Sequence, residues 1–331
     1  MKNKFLDIIE QMQNQPVLVI GDMIADIYLQ GTTSRVSREA PVLVLEQAAE
    51  KVVAGGAANV VNNIATLGGQ VYAVGLLGQD NGAAGLCKIL GERGVHTEGL
   101  LQVAGRDTIT KTRIIAGGRT TVSQQVVRID KESREPMSEE QEVNLNQYLL
   151  EVLPKVKGVV LSDYGSGTIT DQLKDTIFAY CQDHQIPTIV DSRYDINRFQ
   201  GVDYVKQNDA ELAAAVGRDL PDQQSVEVAG QELLQSLQAK GVLITQGEDG
   251  MTLFEQQGQI SKIPVADVSE VFDVSGAGDT CVATVILALA AGVEPVLASQ
   301  LSNVASGIAV RKMGTSVVYT QELQQQIERN Y

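Results

Sequence analysis

The sequence is poor in several groups that many functions require. It has three cysteines in 331 residues, Cys87, Cys181 and Cys281, and they are widely separated. That spacing excludes a disulfide framework and a paired-cysteine metal site, and points to a reducing, cytoplasmic setting where the thiols pack in the core. The two histidines, His96 and His184, each stand alone near an expected helix end; isolated histidines of this kind read as surface residues rather than metal ligands or catalysts. Long apolar runs are missing too. None is long enough to cross a bilayer, and the start, Met1-Lys2-Asn3-Lys4-Phe5-Leu6-Asp7, leads into acids and glutamines instead of a signal core. Basic charge is scarce: 26 Lys and Arg face 41 Asp and Glu, a formal net charge of −15. That balance argues against nucleic acid and anionic membrane surfaces as partners, and an anionic small substrate needs a locally basic pocket.

What the sequence has instead is a recurring alternation. Short continuous apolar runs at 17–20, 71–77, 159–161, 188–190 and 242–244 are separated, for the most part, by helical stretches such as 57–67, 172–184 and 226–239. Strands buried on both faces and joined through helices predict an α/β fold, a doubly wound and mostly parallel sheet flanked by helices. The runs deliver Asp22, Asp163, Asp191 and Thr245, and Tyr204-Val205-Lys206 leads to Asn208. Ligands bind beyond the carboxyl ends of such strands. Any one of these residues is equally a loop cap; five polar ends on one edge predict a site.

Two segments break the alternation. Residues 28–47 and 108–129 are rich in β-branched residues and lack helical period, which predicts a small separate sheet. Spanning about 27–52 and 105–131, it is expected to act as a lid over the strand ends, or else to be a surface hairpin pair without function. Its open edges suit pairing with a second copy, so a homodimer through the lid is expected. Residues 138–151 read as a polar surface helix, and 221–224 as a loop.

The most telling stretch is Asp273-Val274-Ser275-Gly276-Ala277-Gly278-Asp279-Thr280, followed by an apolar run to Ala291 and closed by Gly292. It reads as a loop opening a buried helix. Gly276, Ala277 and Gly278 offer little-covered amides at a helix N-terminus, which suits phosphate. Asp279, in the first turn, can accept a hydroxyl proton while those amides hold a transferring phosphoryl group. Read by themselves, the same eight residues are equally a helix cap after a tight turn. No Gly-Lys-Ser/Thr follows, and no third glycine, so neither a Walker A loop nor a dinucleotide fingerprint is present.

Ala54-Gly55-Gly56-Ala57-Ala58-Asn59, with Gly68 and Gly78 beyond it, taken together with residues 273–280 about 220 positions on, resembles the paired signatures of the ribokinase-like (PfkB) carbohydrate kinases. The resemblance covers essentially the whole chain. It implies one ribokinase-like kinase domain over residues 1–331, ATP with Mg²⁺, room for a monovalent cation, and a small sugar or sugar phosphate as substrate. Asn208-Asp209-Ala210-Glu211 looks like the family's Asn-x-x-Glu element, which implies that Asn208 and Glu211 hold Mg²⁺ through water. Thr245-Gln246-Gly247-Glu248-Asp249-Gly250 looks like its nucleotide-side loop, placing Thr245, Gly247 and Gly250, with Asn303, along ATP. Asp26, Gly56 and Asn59 resemble the sugar-hydroxyl contacts, and Asp22, Gly55 and Asp163 are counted with them.

Within the family, residues 33–42, 108–113, 125–130 and 161–164 look like the heptose 7-phosphate kinases that feed ADP-heptose synthesis, whose bifunctional members carry a further domain; the chain is expected to be the kinase part. It departs from that pattern at Ser166, where a lysine is usual, at Ser192-Arg193 in place of Pro-Lys, and at Gln207 in place of proline. Arg193, with Lys111, Arg113 and Arg128 of the lid, is expected to hold a substrate phosphate. The alternatives are a kinase of the same fold acting on another sugar, sugar phosphate or nucleoside, and a non-catalytic sugar- or nucleotide-binding regulator.

Overall fold

A computed structural model describes residues 1–117, 123–133, 135–266 and 271–331 of the chain. The strands in chain order are β1 (Pro16–Gly21), β2 (Met23–Val36), β3 (Leu43–Gly56), β4 (Gln70–Leu77), β5 (His96–Gln102), β6 (Ile109–Gly117), β7 (Gln124–Lys131), β8 (Gly158–Asp163), β9 (Thr188–Ser192), β10 (Tyr204–Asn208), β11 (Gly241–Thr245), β12 (Met251–Glu255) and β13 (Ile260–Ile263). Nine form one sheet in the order β13-β12-β11-β10-β9-β8-β1-β4-β5, and four form a second in the order β3-β2-β6-β7.

The large sheet is parallel from β5 to β11, with β12 and β13 added antiparallel at one edge. Its central strands, such as β1, are apolar because both faces are covered. On β1, Val17 and Val19 enter one core while Leu18 and Ile20 enter the other, as the two-residue period of a strand requires. The first core is closed by helices that include Ala57–Thr66, Ala277–Ala290 and Pro295–Ala309, the second by Glu139–Val152, Asp171–His184 and Gln223–Leu237. This is the doubly wound α/β arrangement that the alternation of runs predicts.

The second sheet begins earlier than expected. β2 leaves β1 after the single residue Asp22 and pairs antiparallel with β3 from Met23↔Gly56 outward, while β6 lies parallel to its other side. Asp26 therefore sits inside a strand of this sheet, close to the large one. The inner ends of β2 and β3 are buried and the outer ends exposed. Residues 118–122 of the expected lid lie outside the described residues.

Two further expectations change. Residues 221–224 are no plain loop: Asp222 caps the helix Gln223–Leu237, its Oδ1 accepting from the Ser225 amide at 2.8 Å. His96 opens β5 and stacks on Tyr72 at 4.3 Å between ring centroids, whereas His184 does end a helix, stacked on Tyr180. The cysteines are free, with Cys181 and Cys281 buried. Among the described residues no helix is long and apolar enough to cross a membrane.

Candidate active site

The helix Ala277–Ala290 is apolar on every side and buried from Asp279 to Leu289, so its start is the part that meets a cavity. Gly276 caps it with φ +82°, a left-handed backbone that a side chain adopts only at a cost. The first intrahelical bond runs from the Thr280 amide to the Gly276 carbonyl at 3.0 Å. The amides of Gly278 and Asp279 thus stand ahead of the ladder, carrying the positive end of the helix dipole. Ala277, expected among the anion-hole donors, departs from that role: its amide donates to the Val274 carbonyl at 3.3 Å. Asp273 holds the loop in place, Oδ1 accepting from the Ser275 amide and Oδ2 from the Gly314 amide, both at 2.9 Å.

Next to this start lies a cation that the sequence reading did not single out. Lys206, near the end of β10 and 5% exposed, places Nζ 3.2 Å from Asp191 Oδ2 and 3.8 Å from Glu211 Oε2. A Cβ on Gly278 would lie 2.8 Å from that ammonium, so the glycine makes room for it. Burial opposes the charge of Lys206, but Asp191 and Glu211 outweigh it and hold its pKa above the usual lysine value. Burial likewise raises the pKa of Glu211, against the pull of Lys206. The available signal was a lysine directly after Tyr204-Val205, two residues before Asn208.

Asp279 is buried, and each carboxylate oxygen has a donor: Asn59 Nδ2 at 2.7 Å on Oδ2 and the Tyr164 hydroxyl at 3.1 Å on Oδ1. Desolvation raises its pKa to about 6, with the hydrogen bond from Asn59 pulling the other way and Asp191 adding to the rise. An acid of that strength is ionised at neutral pH and basic enough to take a proton in a transition state.

Two cavities meet here. One, about 240 Å³, is lined by Asp163, Asp191, Lys206, Glu211, Gly278 and Asp279 among others. The other, about 330 Å³, is lined by Ile24, Lys111, Ser166 and Tyr194. Tyr164 and Arg193 line both and form the wall between them.

The remaining expected residues divide. Asn59, Asp163, Arg193, Asn208, Glu211, Gly276, Gly278 and Asp279 come together around the first cavity, and Lys111 borders the second. Asp22 lines neither; it is 1% exposed, and Oδ2 accepts from the Tyr164 and Ser166 amides at 2.8 and 3.1 Å, pinning the loop after β8. Asp26 accepts from Arg113 Nη1 at 2.7 Å on Oδ1 and from Thr315 Oγ1 at 2.6 Å on Oδ2, and neither Asp26 nor Arg113 lines either cavity. Gly55 gives that carboxylate space, since a Cβ would fall 2.6 Å from Asp26 Oδ2, and Gly56 caps the helix Ala57–Thr66. Arg128 pairs with Asp130 on its own strand and lines neither cavity. Thr245, Gly247, Gly250 and Asn303 also lie off both cavities; Asn303 donates to the Pro264 carbonyl at 2.6 Å.

The donor set suits a hydrated Mg²⁺ brought in on phosphates, not a protein cage. Asn208 and Glu211 are engaged with each other as a capping box, Asn208 Oδ1 taking the Glu211 amide and Glu211 Oε2 the Asn208 amide, which leaves Glu211 its second oxygen for a bound water. Among the described residues no group of three or more His, Cys, Asp and Glu is arranged to hold a metal.

A nine-stranded α/β sheet, a second sheet beside its strand ends and a buried carboxylate at a glycine-started helix make up the frame of the site. A sequence profile described as pfkB family carbohydrate kinase matches residues 14–321, and the chain belongs to that family. Its curated relatives include proteins named "Bifunctional protein HldE" from Desulfatibacillum aliphaticivorans, 40% identical over 313 residues, and from Azorhizobium caulinodans, 40% identical over 322 residues. These alignments cover 94% and 96% of this chain but only 63% and 66% of the relatives, so the chain spans less than two thirds of their length. The fold is shared with Arabidopsis thaliana ribokinase complexed with ribose and ATP (TM-score 0.73, 21% identity, 96% of this chain and 99% of that one). It is also shared with Escherichia coli phosphofructokinase-2 in complex with substrates and products (TM-score 0.75, 21% identity, with the same coverage).

Lys206→Met strips two half-buried carboxylates of their shared cation. The variant is expected to lose roughly 3 kcal/mol of stability, read as a lower urea midpoint with an unchanged slope; an unmoved midpoint would show that Lys206 does not anchor the site.

Proposed function

We propose that this protein transfers the terminal phosphoryl group of ATP to a hydroxyl of a phosphorylated sugar, in the manner of a heptose 7-phosphate 1-kinase, with Asp279 as general base. The observation that carries this reading is the buried Asp279 carboxylate beside the open amides of the helix start and the Lys206 ammonium. The terminal phosphoryl group lies against the Gly278 and Asp279 amides, and the nucleotide extends towards Thr245, Gly247, Gly250 and Asn303. The acceptor hydroxyl gives its proton to Asp279 as its oxygen bonds to phosphorus and the bond from phosphorus to the ADP oxygen breaks. Glu211 and Asn208 would hold Mg²⁺ through water, and the ion would supply charge neutralisation on the phosphates.

The second cavity suits an acceptor that already bears a phosphate. Of the four cations expected to serve it, Arg113 and Arg128 are paired with carboxylates, while Lys111 and Arg193 line the space. Burial lowers the Lys111 pKa, opposed by Asp26 and aided by Arg193; a dianion placed there would offset the cost of burying the charge and the repulsion between the two cations. The likeness of residues 33–42, 108–113, 125–130 and 161–164 to heptose 7-phosphate kinases supports the choice of sugar. The relatives' greater length keeps their whole activity apart from this proposal. One Escherichia coli phosphofructokinase-2 structure is in complex with potassium, and a potassium requirement belongs to the proposal, tested by replacing K⁺ in the assay. The second sheet is the proposed lid and dimer face: Val36, Leu43, Val126, Val127 and Ile129 are exposed on it, and sedimentation is expected to show a dimer.

The decisive assay is ATP consumption with Mg²⁺ over heptose 7-phosphate, fructose 1- and 6-phosphates, fructose, ribose and adenosine. Turnover of heptose 7-phosphate supports the reading, turnover confined to unphosphorylated acceptors overturns the substrate, and silence favours a binding protein. Asp279→Asn is expected to stay folded and to lose a factor on the order of 10² or more in kcat. Because the base acts only when ionised, kcat/KM in the wild type is expected to fall about tenfold per pH unit below a pKa of about 6. Lys111→Ala and Arg193→Ala are each expected to raise KM for the phosphorylated acceptor by about 10-fold or more, with KM for ATP little changed in Lys111→Ala.

A further inference from the structure

Tyr164 has no task in the reaction as proposed, yet it holds the base. It follows β8 directly, its own amide fixed by Asp22 Oδ2 at 2.8 Å. Its ring forms part of the wall between the two cavities, with Lys111 Nζ 5.3 Å from the ring centre. Its hydroxyl donates to Asp279 Oδ1 at 3.1 Å, while Asn59 Nδ2 donates to Oδ2 at 2.7 Å. With one donor on each oxygen, the carboxylate cannot rotate about its last bond without giving up a hydrogen bond. An ionised carboxylate oxygen offers two lone-pair sites, so Oδ1 keeps one for an incoming hydroxyl, in a direction set by where the phenol is not.

We propose that Tyr164 is a positioning residue for the phosphoryl transfer: its phenol, donating to Asp279 Oδ1 from the wall between the cavities, fixes the plane of the carboxylate and keeps it in the proton-accepting state. The inference rests on the reading of Asp279 as the base. A tyrosine that merely fills space needs any acceptor for its hydroxyl; here the acceptor is the proton-accepting group itself, and the opposite oxygen is secured by a separate element, the helix Ala57–Thr66. The groups facing Asp279 are Asn59, Tyr164, Asp191 at the end of β9 and Lys206 in β10. Those facing Tyr164 are Asp279, Asp191, Arg193 and, over the ring, Lys111. Burial, with Asp279 next to it, keeps the phenol protonated far above the usual tyrosine range, so it remains a donor throughout the working pH. A hydrogen bond to the charged form lowers an acid's pKa, and its loss raises it.

The test is kcat/KM for the acceptor as a function of pH in the full chain, for wild type, Tyr164→Phe and a protein carrying 3-fluorotyrosine at position 164 alone. Phenylalanine keeps the ring and removes the donor, so the acid limb is expected to move up by about one pH unit, with kcat on the plateau reduced and KM for ATP unchanged. Fluorotyrosine, a stronger donor, is expected to move the limb down. An acid limb that stays in place in both proteins overturns the proposal, whatever happens to kcat; if Tyr164→Phe fails to fold or is silent, the fluorotyrosine protein decides alone. Asp279→Asn, measured alongside, separates the two readings. Full activity there overturns the base, whereas a silent Asp279→Asn with an unmoved limb overturns only Tyr164.

Discussion

Burial of a carboxylate in the first turn of an all-apolar helix is the constraint on which the rest of this site depends. Asp279 is only 6% exposed, and a charge so placed persists only where donors and a counter-charge surround it. The donors come from the helix Ala57–Thr66 and from the loop after β8, and the counter-charge from Lys206 on β10. Lys206 in turn is tenable only between Asp191 and Glu211. The result is three carboxylates around one ammonium, a balance that leaves Asp279 basic and Glu211 harder to ionise. A pocket with that surplus of negative charge receives a phosphate chain only when cations arrive with it, which is why magnesium and nucleotide belong together in the proposed reaction.

The same constraint accounts for the placement of small residues. At Gly278 the ammonium approaches the helix backbone so closely that a methyl group would touch it. At Gly55 the missing side chain is replaced by the Asp26 carboxylate, which bridges Arg113 and Thr315. Through Thr315 and its neighbour this second network reaches the helix start: the Thr315 amide donates to the Tyr28 hydroxyl at 3.1 Å, and the Gly314 amide to Asp273 Oδ2 at 2.9 Å. Asp273 also orders the glycine loop. The inner end of the second sheet and the helix start are therefore parts of one hydrogen-bonded unit.

Much of this was legible in the amino-acid order, and what was not has a common cause. Strands buried on both faces announce themselves as short apolar runs, so the sheet from β1 to β11 could be read along the chain, as could the helix start with Asp279, because caps, glycines and an apolar run are local signals. β5, β12 and β13 were missed: they are edge or near-edge strands whose sequences, such as His96-Thr97-Glu98-Gly99, lack a continuous apolar run. The side-chain partners of Asp279 and Asp26 were missed because they are set by tertiary register. Tyr164 meets Asp279 across 115 positions, and Arg113 meets Asp26 across 87. A family resemblance marked Asp26, and residue type Arg113 and Arg128, as ligand contacts; the fold shows that each already has a partner.

The absent lysine at Ser166 has a structural counterpart that bears on how the acceptor is held. Ser166 sits in a turn whose amide is tied to Asp22, flanked by Gly165 and Gly167 with positive φ, and it lines the second cavity without adding charge. The cations that do line it come from two directions, Lys111 from β6 of the second sheet and Arg193 from the segment after β9 of the large one. A lysine in the turn would let an anion be held by the large sheet alone. With Lys111 and Arg193 as the two poles, an anion is fully held only when it touches both sheets, and its charge draws together elements that otherwise repel each other across the cavity. In the proposed reaction, a phosphorylated acceptor held this way would favour the arrangement in which the second sheet covers the strand ends, and water would be excluded as the acceptor hydroxyl meets Asp279.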